Sequence, residues 1–305
     1  MPITTGNFPK LLTPGIQAIF GASYQEHTPQ WDKYFDRETS SRNWEEDVGI
    51  VGFGLAPIKG EGEGIKADTM GQGFVKRYTH VVYGLQFSIT REMVEDDLYM
   101  TPMKRRAQAL AFSMHQTKEI VHANVLNRGF NSSYPVADAL ELFSTAHLNA
   151  GAAGGTYRNE LSTAADLSET AIEQACIDIY AFTDDRGNKI AAKPLMLIIP
   201  AELTFTAGRV LESTLQNNTA NNAINVLKAH GIIPKVLVCN YLTDTDAWFI
   251  KTDVSQGLKS IQRRPVSFEG SPMNDFDTEN GRWKATERYS CGCTDPRGVF
   301  GSPGA

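Results

Sequence analysis

Between Val75 and Thr90 the chain reads VKRYTHVVYGLQFSIT, with Val81, Tyr83, Leu85, Phe87 and Ile89 on one parity and His80, Gly84, Gln86 and Ser88 on the other. Alternation with a period of two marks a strand that buries one face. At about 3.3 Å per residue it would run on the order of 50 Å, against roughly 20 Å for an ordinary strand. Upstream, IVGFGLAPI alternates too, with Val51, Phe53 and Leu55 on one side. Between the limbs lies IKGEGEGIKADTMGQGF, residues 58–74. The reading is a long hairpin with a loose tip that reaches away from its own body.

A glycine-rich stretch also raises the question of a phosphate loop. GEGEG lacks the third glycine of GxGxxG, and no GK[ST] follows. Glu61 and Glu63 would face a bound phosphate, where a nucleotide loop presents backbone amides and often a lysine. Gly60, Glu61, Gly62, Glu63 and Gly64 are therefore assigned as candidates for contact with another chain.

The region before the hairpin is rich in turn formers and carries aromatics without a sustained period, among them Phe20, Tyr24 and Trp31. Thr13 is expected to cap a short helix with Pro14 at its first position, placing Ile16, Ile19, Phe20 and Tyr24 on one face. That face could dock on its own core or on a neighbouring subunit, and Phe20, Tyr24 and Trp31 join the contact candidates.

After Thr90, REMVEDDLY predicts a short helix. The clearest helix follows, capped by Thr101 with Pro102 at its first position. Met103, Ala107, Leu110, Met114, Val121 and Val125 repeat on one face until Gly129 ends it. It should measure roughly 40 Å. Lys104, Arg105 and Arg106 sit in its first turn, where the macrodipole disfavours cations by roughly 0.3–1 kcal/mol each. The candidates for holding them are Glu95, Asp96 and Asp97, or carboxylates of another subunit such as Glu61 and Glu63. Beyond residue 135 the pattern is α/β: a helix capped by Ser168, the turn DDRGN, a buried strand PLMLII, and a helix over 201–215. A further helix near NAINVLKAHG precedes strands KVLVCN and AWFIK. Asn280-Gly281 signals a hairpin turn between FDTE and RWKATERYS.

Chemistry is sought and not found. Glu119 and His122 form an ExxH pair, but di-iron chemistry needs two such motifs on separate helices. Cys291-Gly-Cys293 has no second pair at zinc spacing, and DFDTENG puts its glycine one place late for a calcium loop. No motif sets a nucleophile beside a base, so no catalytic, cofactor-binding or metal-binding residue is assigned. The four cysteines of the 305-residue chain read as reduced thiols. MPITTGNFPKLL lacks the form of a signal peptide and no apolar run is long enough to cross a membrane, so a cytosolic protein is expected. A net charge of −6 gives the molecule no reason to grip nucleic acid tightly.

The order of parts resembles the major capsid proteins of tailed bacteriophages with the Hong Kong 97 type fold. MPITTGNFPKLLTPGI, YGLQFSITREMVEDDLY, LFSTAHLNAG, PLMLIIPAEL and GRWKATERYSCGCTDPRG look like the Mu-like major head subunit group within it. The resemblance implies an α+β fold: an N-terminal arm (1–47), an extended β-hairpin loop or E-loop (48–89), a P-domain with its spine helix (90–134), an α/β A-domain (135–262), and C-terminal strands returning to the P-domain (263–305). It implies a shell of hexamers and pentamers around a double-stranded DNA genome, with copies of the chain as main partners. Scaffolding and portal proteins, a decoration protein and weak non-specific DNA contact complete the set, with no cofactor and no membrane. Assembly in the host bacterial cytoplasm and residence in the virion follow. No long helical segment precedes the arm, so either the chain is written in mature form or scaffolding is a separate protein. Lys59 and Lys66 have no clear partner for the isopeptide crosslink of the founding member, so noncovalent shells are expected. An encapsulin-like compartment shell, another phage structural protein and an α/β enzyme are the alternatives.

Overall fold

The computed structural model describes residues 9–95, 100–151, 155–216, 223–271 and 280–305. Helix α1 (Pro9–Glu26) leads through a 3-10 turn at Trp31–Lys33 to strands β1 (Asp36–Thr39), β2 (Trp44–Val51), β3 (Gly71–Thr79) and β4 (Val81–Ile89). The short helix α2 (Arg91–Glu95), the long helix α3 (Met100–Asn127), β5 (His147–Leu148), β6 (Thr156–Tyr157) and α4 (Glu169–Tyr180) follow. Then come β7 (Pro194–Ile199), α5 (Thr204–Glu212), α6 (Val226–Ala229), β8 (Val236–Val238) and β9 (Trp248–Thr252). The chain closes with β10 (Leu258–Ser271), β11 (Gly281–Cys293) and β12 (Val299–Ser302).

The alternating run at 75–90 is divided between two sheets. β3 pairs antiparallel with β2, from Trp44 opposite Thr79 to Val51 opposite Gly71. β4 instead pairs with β11, from Gly281 opposite Ile89 to Tyr289 opposite Val81. The break falls at His80, which is buried and shares a 2.9 Å hydrogen bond with Ser290 Oγ. Pinned there, the chain passes from one ladder to the other. The hairpin is thus β2–β3, and the limb expected over IVGFGLAPI stops being a strand at Val51.

The first sheet has the order β1-β10-β11-β4. Its β10–β11 hairpin runs from Leu258 opposite Cys293 to Ser271 opposite Arg282. The sequence reading missed β10. Pro265 lies within it, offering no N–H to the ladder, and the register shifts on either side of Arg264. Gly281 opens β11 as a paired strand residue rather than a turn residue, and FDTE lies outside the described residues.

Helix α1 lies along α3, with Ile16 beside Met103 and Ala107, and Phe20 beside Leu110, Ala111 and Met114. Both helices start earlier than expected, so Thr13 and Pro14 fall inside α1, and Thr101 and Pro102 inside the first turn of α3. Near the end of α3 the apolar face rotates: Ala123 and Leu126 are buried, while Val121 and Val125 are partly exposed. Gly129 permits a close approach, because a Cβ there would stand 2.4 Å from the Phe143 ring.

The α/β half is built on the sheet β12-β9-β7-β8, with β7 and β8 parallel. One face packs Leu197, Ile199 and Ile250 against Ile172 and Ile179 of α4, whose N-terminus is capped by Ser168 Oγ accepting from Ala171 N at 3.2 Å. The other face packs Met196, Ile198 and Phe249 on Phe143, Leu126 and the aromatics Trp31, Tyr34 and Phe35. That second cluster joins the two halves of the protein. The helix expected over 201–215 is a 3-10 turn at Ala201–Leu203 running into α5.

Candidate interaction surface

Residues 52–70 lie beyond the last pair of the β2–β3 ladder and carry large apolar side chains with little cover. Ile58 is 99% exposed, Ile65 85% and Leu55 84%, and Phe53 and Met70 are also open to solvent. Burying a side chain of this size contributes about 1.5–3 kcal/mol, which this chain forgoes at each position. Gly62 has φ +80, a left-handed conformation that suits glycine. Glu61, Gly62, Glu63 and Gly64 are all exposed, and Gly60 is half-buried. Glu63 Oε2 accepts from Gly60 N at 3.4 Å, closing a small turn.

The base of the hairpin is held on several sides. Asp47 Oδ2 accepts from Lys259 Nζ at 2.7 Å and from Thr294 Oγ1 at 2.8 Å. Lys76 Nζ donates to Pro135 O at 3.0 Å, and burial lowers that ammonium below the usual lysine range. At the neck, the backbone N–H groups of Gly54 and Thr69 hold the Asp68 carboxyl below the usual carboxylate range. Arg186 Nε donates to Gly52 O at 3.1 Å and its Nη2 to Thr69 O at 2.6 Å.

Of the aromatic contact candidates, Phe20 and Trp31 are covered within their own chain. Phe20 is 3% exposed and stacks on Phe268 with ring centroids 4.6 Å apart, and Trp31 is 6% exposed and stacks on His122 at 4.4 Å. Both belong to their own chain's core. Tyr24 is half-buried and its hydroxyl donates to Glu287 Oε2 at 3.5 Å. Glu287 is also ion-paired with Lys118 and accepts from Gln262 Nε2 at 3.2 Å. Four elements, α1, α3, β10 and β11, meet in this buried network.

The ExxH pair has a structural task at the same seam. Glu119 accepts from the backbone N–H of Gln30 at 2.7 Å and of Trp31 at 3.1 Å, satisfying donors left open at the start of a helical turn. Burial raises its carboxyl above the usual range. His122 Nδ1 donates to Lys118 O and its Nε2 accepts from Ser260 Oγ, both at 2.7 Å, and burial pushes the imidazole down to about 3. A neutral histidine bonded on both nitrogens has no lone pair left for a metal. Among the described residues no group of His, Cys, Asp and Glu is arranged to hold a metal ion, and no helix is long and apolar enough to cross a membrane.

Lys104, Arg105 and Arg106 are exposed on α3, and Arg106 Nη1 donates to Ser88 O at 2.8 Å. The side chains of Glu95, Asp96 and Asp97 lie outside the described residues. Cys176, Cys239 and Cys293 are buried and Cys291 is half-buried, all as free thiols. Burial pushes Cys176 up to about 11 and Cys291 up to about 12, so neither is a ready nucleophile. A 470 Å³ cleft between β4, α3 and β11 has Lys76 and Arg128 among its lining residues. Lys76 is bonded to Pro135 O, and Arg128 stacks 4.6 Å over Tyr134.

Among known proteins, a family described as phage capsid protein matches residues 74–301. The virus-like particle of Pyrococcus furiosus is similar in structure at 10% identity, with a TM-score of 0.56 over 95% of this chain and 99% of that one. A structure from Mycobacterium phage Patience is similar at 10% identity and a TM-score of 0.54, over 98% of this chain and 88% of that one. The procapsid of bacteriophage JBD30 is similar at 15% identity and a TM-score of 0.52, over 98% and 76%. These likenesses are of fold. A comparison with curated proteins gives no match.

Proposed function

The chain belongs to the phage capsid protein family and has the Hong Kong 97 type fold, and from that membership we propose that it is the major head subunit of a tailed bacteriophage, of the Mu-like group. Capsid proteins self-associate into shells, and theirs is not a family of enzymes, which sets aside the α/β enzyme alternative. The observation that carries the reading is the tip at residues 52–70, where Ile58, Ile65 and Leu55 have almost no cover among the described residues. In this reading β2, β3 and the tip form the extended loop and lie across a neighbouring subunit. Helix α3 with β4, β10 and β11 forms the peripheral domain, α1 belongs to the arm, and the α/β half is the axial domain.

The subunits form hexamers and pentamers in the host cytoplasm, with scaffolding and portal proteins as assembly partners and a decoration protein as a further one. The DNA contact is weak and non-specific, in keeping with a net charge of −6. The experiment is electron microscopy of the purified full chain beside a variant lacking residues 61–73. Closed particles from the first and none of normal size and stability from the second are expected; normal particles from both would refute the role of the tip. A compartment shell is the second and weaker reading, since the same fold builds both. DNA inside purified particles selects the phage head, and a packaged enzyme selects the compartment.

A further inference from the structure

The turn between α4 and β7, residues 184–188, is tied down on every side. Asp184 Oδ1 accepts from Arg186 N at 2.8 Å and Asn188 N at 2.7 Å, and its Oδ2 accepts from Asn188 Nδ2 at 3.0 Å. Gly187 takes φ +83, which an L side chain rarely adopts. Behind the turn, Asp185 Oδ1 accepts from Arg297 Nη2 at 2.9 Å, fixing it to the C-terminal segment before β12. In front, Gly151 lies between the turn and the neck of the hairpin: a Cβ there would stand 2.0 Å from Asp185 O and 3.5 Å from the buried Val51 side chain.

Arg186 projects from this fixed turn onto both limbs of the hairpin. Its bonds to Gly52 O and Thr69 O fall just past the end of β2 and just before the start of β3, and Asp68 Oδ1 lies 3.6 Å from its Nη2. One guanidinium therefore bridges the two limbs where the ladder ends and couples them to the α/β half. A planar fork of fixed donors suits this task, because it reaches two carbonyls in one preset geometry.

We propose that Arg186 is a positioning residue for assembly: it latches the neck of the hairpin to the α/β half, so that the tip meets a second copy of this chain from one direction. The proposal rests on the reading of the tip as a contact between copies. A tip free to swing would have to be ordered on docking. If only about a tenth of free subunits held the docking direction, the concentration needed for assembly would rise about tenfold.

The test is a distance distribution between spin labels at Ile58→Cys on the tip and Thr245→Cys in the α/β half, in the unassembled full chain with Cys291→Ser. The distribution should be narrow with Arg186 and broad in Arg186→Ala, read on variants whose thermal unfolding stays cooperative. Arg186→Met, similar in length and without a donor, should broaden it too and keeps the test usable should the alanine variant misfold. An unchanged width in either folded variant overturns the latch. Assembly of the unlabelled Arg186→Ala chain should need about tenfold more protein. Broadening with normal assembly would uphold the latch but overturn its part in assembly, whereas normal particles from the chain lacking residues 61–73 would overturn the reading of the tip.

Discussion

At the tip, Ile58, Ile65 and Leu55 lie almost wholly open, whereas along the seam of α1, α3 and the β10–β11 hairpin Ile16, Ile89, Phe20 and Trp283 are each under 5% exposed. The residue types are alike and the surroundings opposite. The seam closes on itself: its apolar residues interlock, its ion pair Lys118–Glu287 is buried, and Glu119 and His122 have their hydrogen-bonding atoms engaged. The tip has a hydrogen-bonded neck, and its largest apolar side chains have almost no cover among the described residues. In the proposed reading that burial is completed against another copy.

The contrast can be broken first at Phe20. As a seam residue, Phe20→Ala should destabilise the unassembled subunit by about 3–5 kcal/mol, because a buried ring is replaced by a cavity. Chemical denaturation of the free chain measures this. A loss below about 1 kcal/mol, combined with failed assembly, would return Phe20 to the contact residues that its place in the arm suggests.

A second effect is expected from acid. His122 has its folded value depressed to about 3 by burial, against an unfolded value near 6.5. Its contribution is therefore fully present above about pH 6.5 and is lost as pH falls toward 3, by up to about 1.4 kcal/mol per pH unit. His115 and His80, also lowered by burial, act in the same direction, while Glu119, raised by burial, opposes them. His122→Gln should flatten the fall of the thermal midpoint between pH 6.5 and 4; an unchanged slope would mean that the seam admits water.

The smallest effect on the subunit is expected at the tip. Ile58→Ser should alter the stability of the free chain by less than about 0.5 kcal/mol, yet reduce the yield of shells. Should the free subunit lose stability instead, the tip folds back on its own chain in solution and the comparison collapses.

Local signals carried much of the fold. The existence of helix α3, the Ser168 cap, the turn at 184–188 and the strand PLMLII follow from local patterns, which depend on neighbours in sequence, although the expected cap of α3 does not hold. Pairing partners were not legible in the same way. β4 joins β11 about two hundred residues later, and β10 hides its alternation behind Arg263, Arg264 and Pro265. Phe20 and Trp31 looked uncovered because their cover comes from Phe268 and His122, remote in sequence. At the candidate interface, the glycines and charges of the tip were visible from composition. Arg186 was not, since its partners are the backbone carbonyls of Gly52 and Thr69, and a backbone acceptor leaves no mark on the residue that carries it.

The central claim is that residues 52–70 gain their cover from another copy of the chain. Hydrogen exchange of peptides spanning 52–70, followed by mass spectrometry in unassembled subunits and in assembled shells, tests it directly. Rapid exchange in the free subunit and strong protection in the shell are predicted, with the seam protected in both. Equal exchange of the tip in the two states would contradict the account.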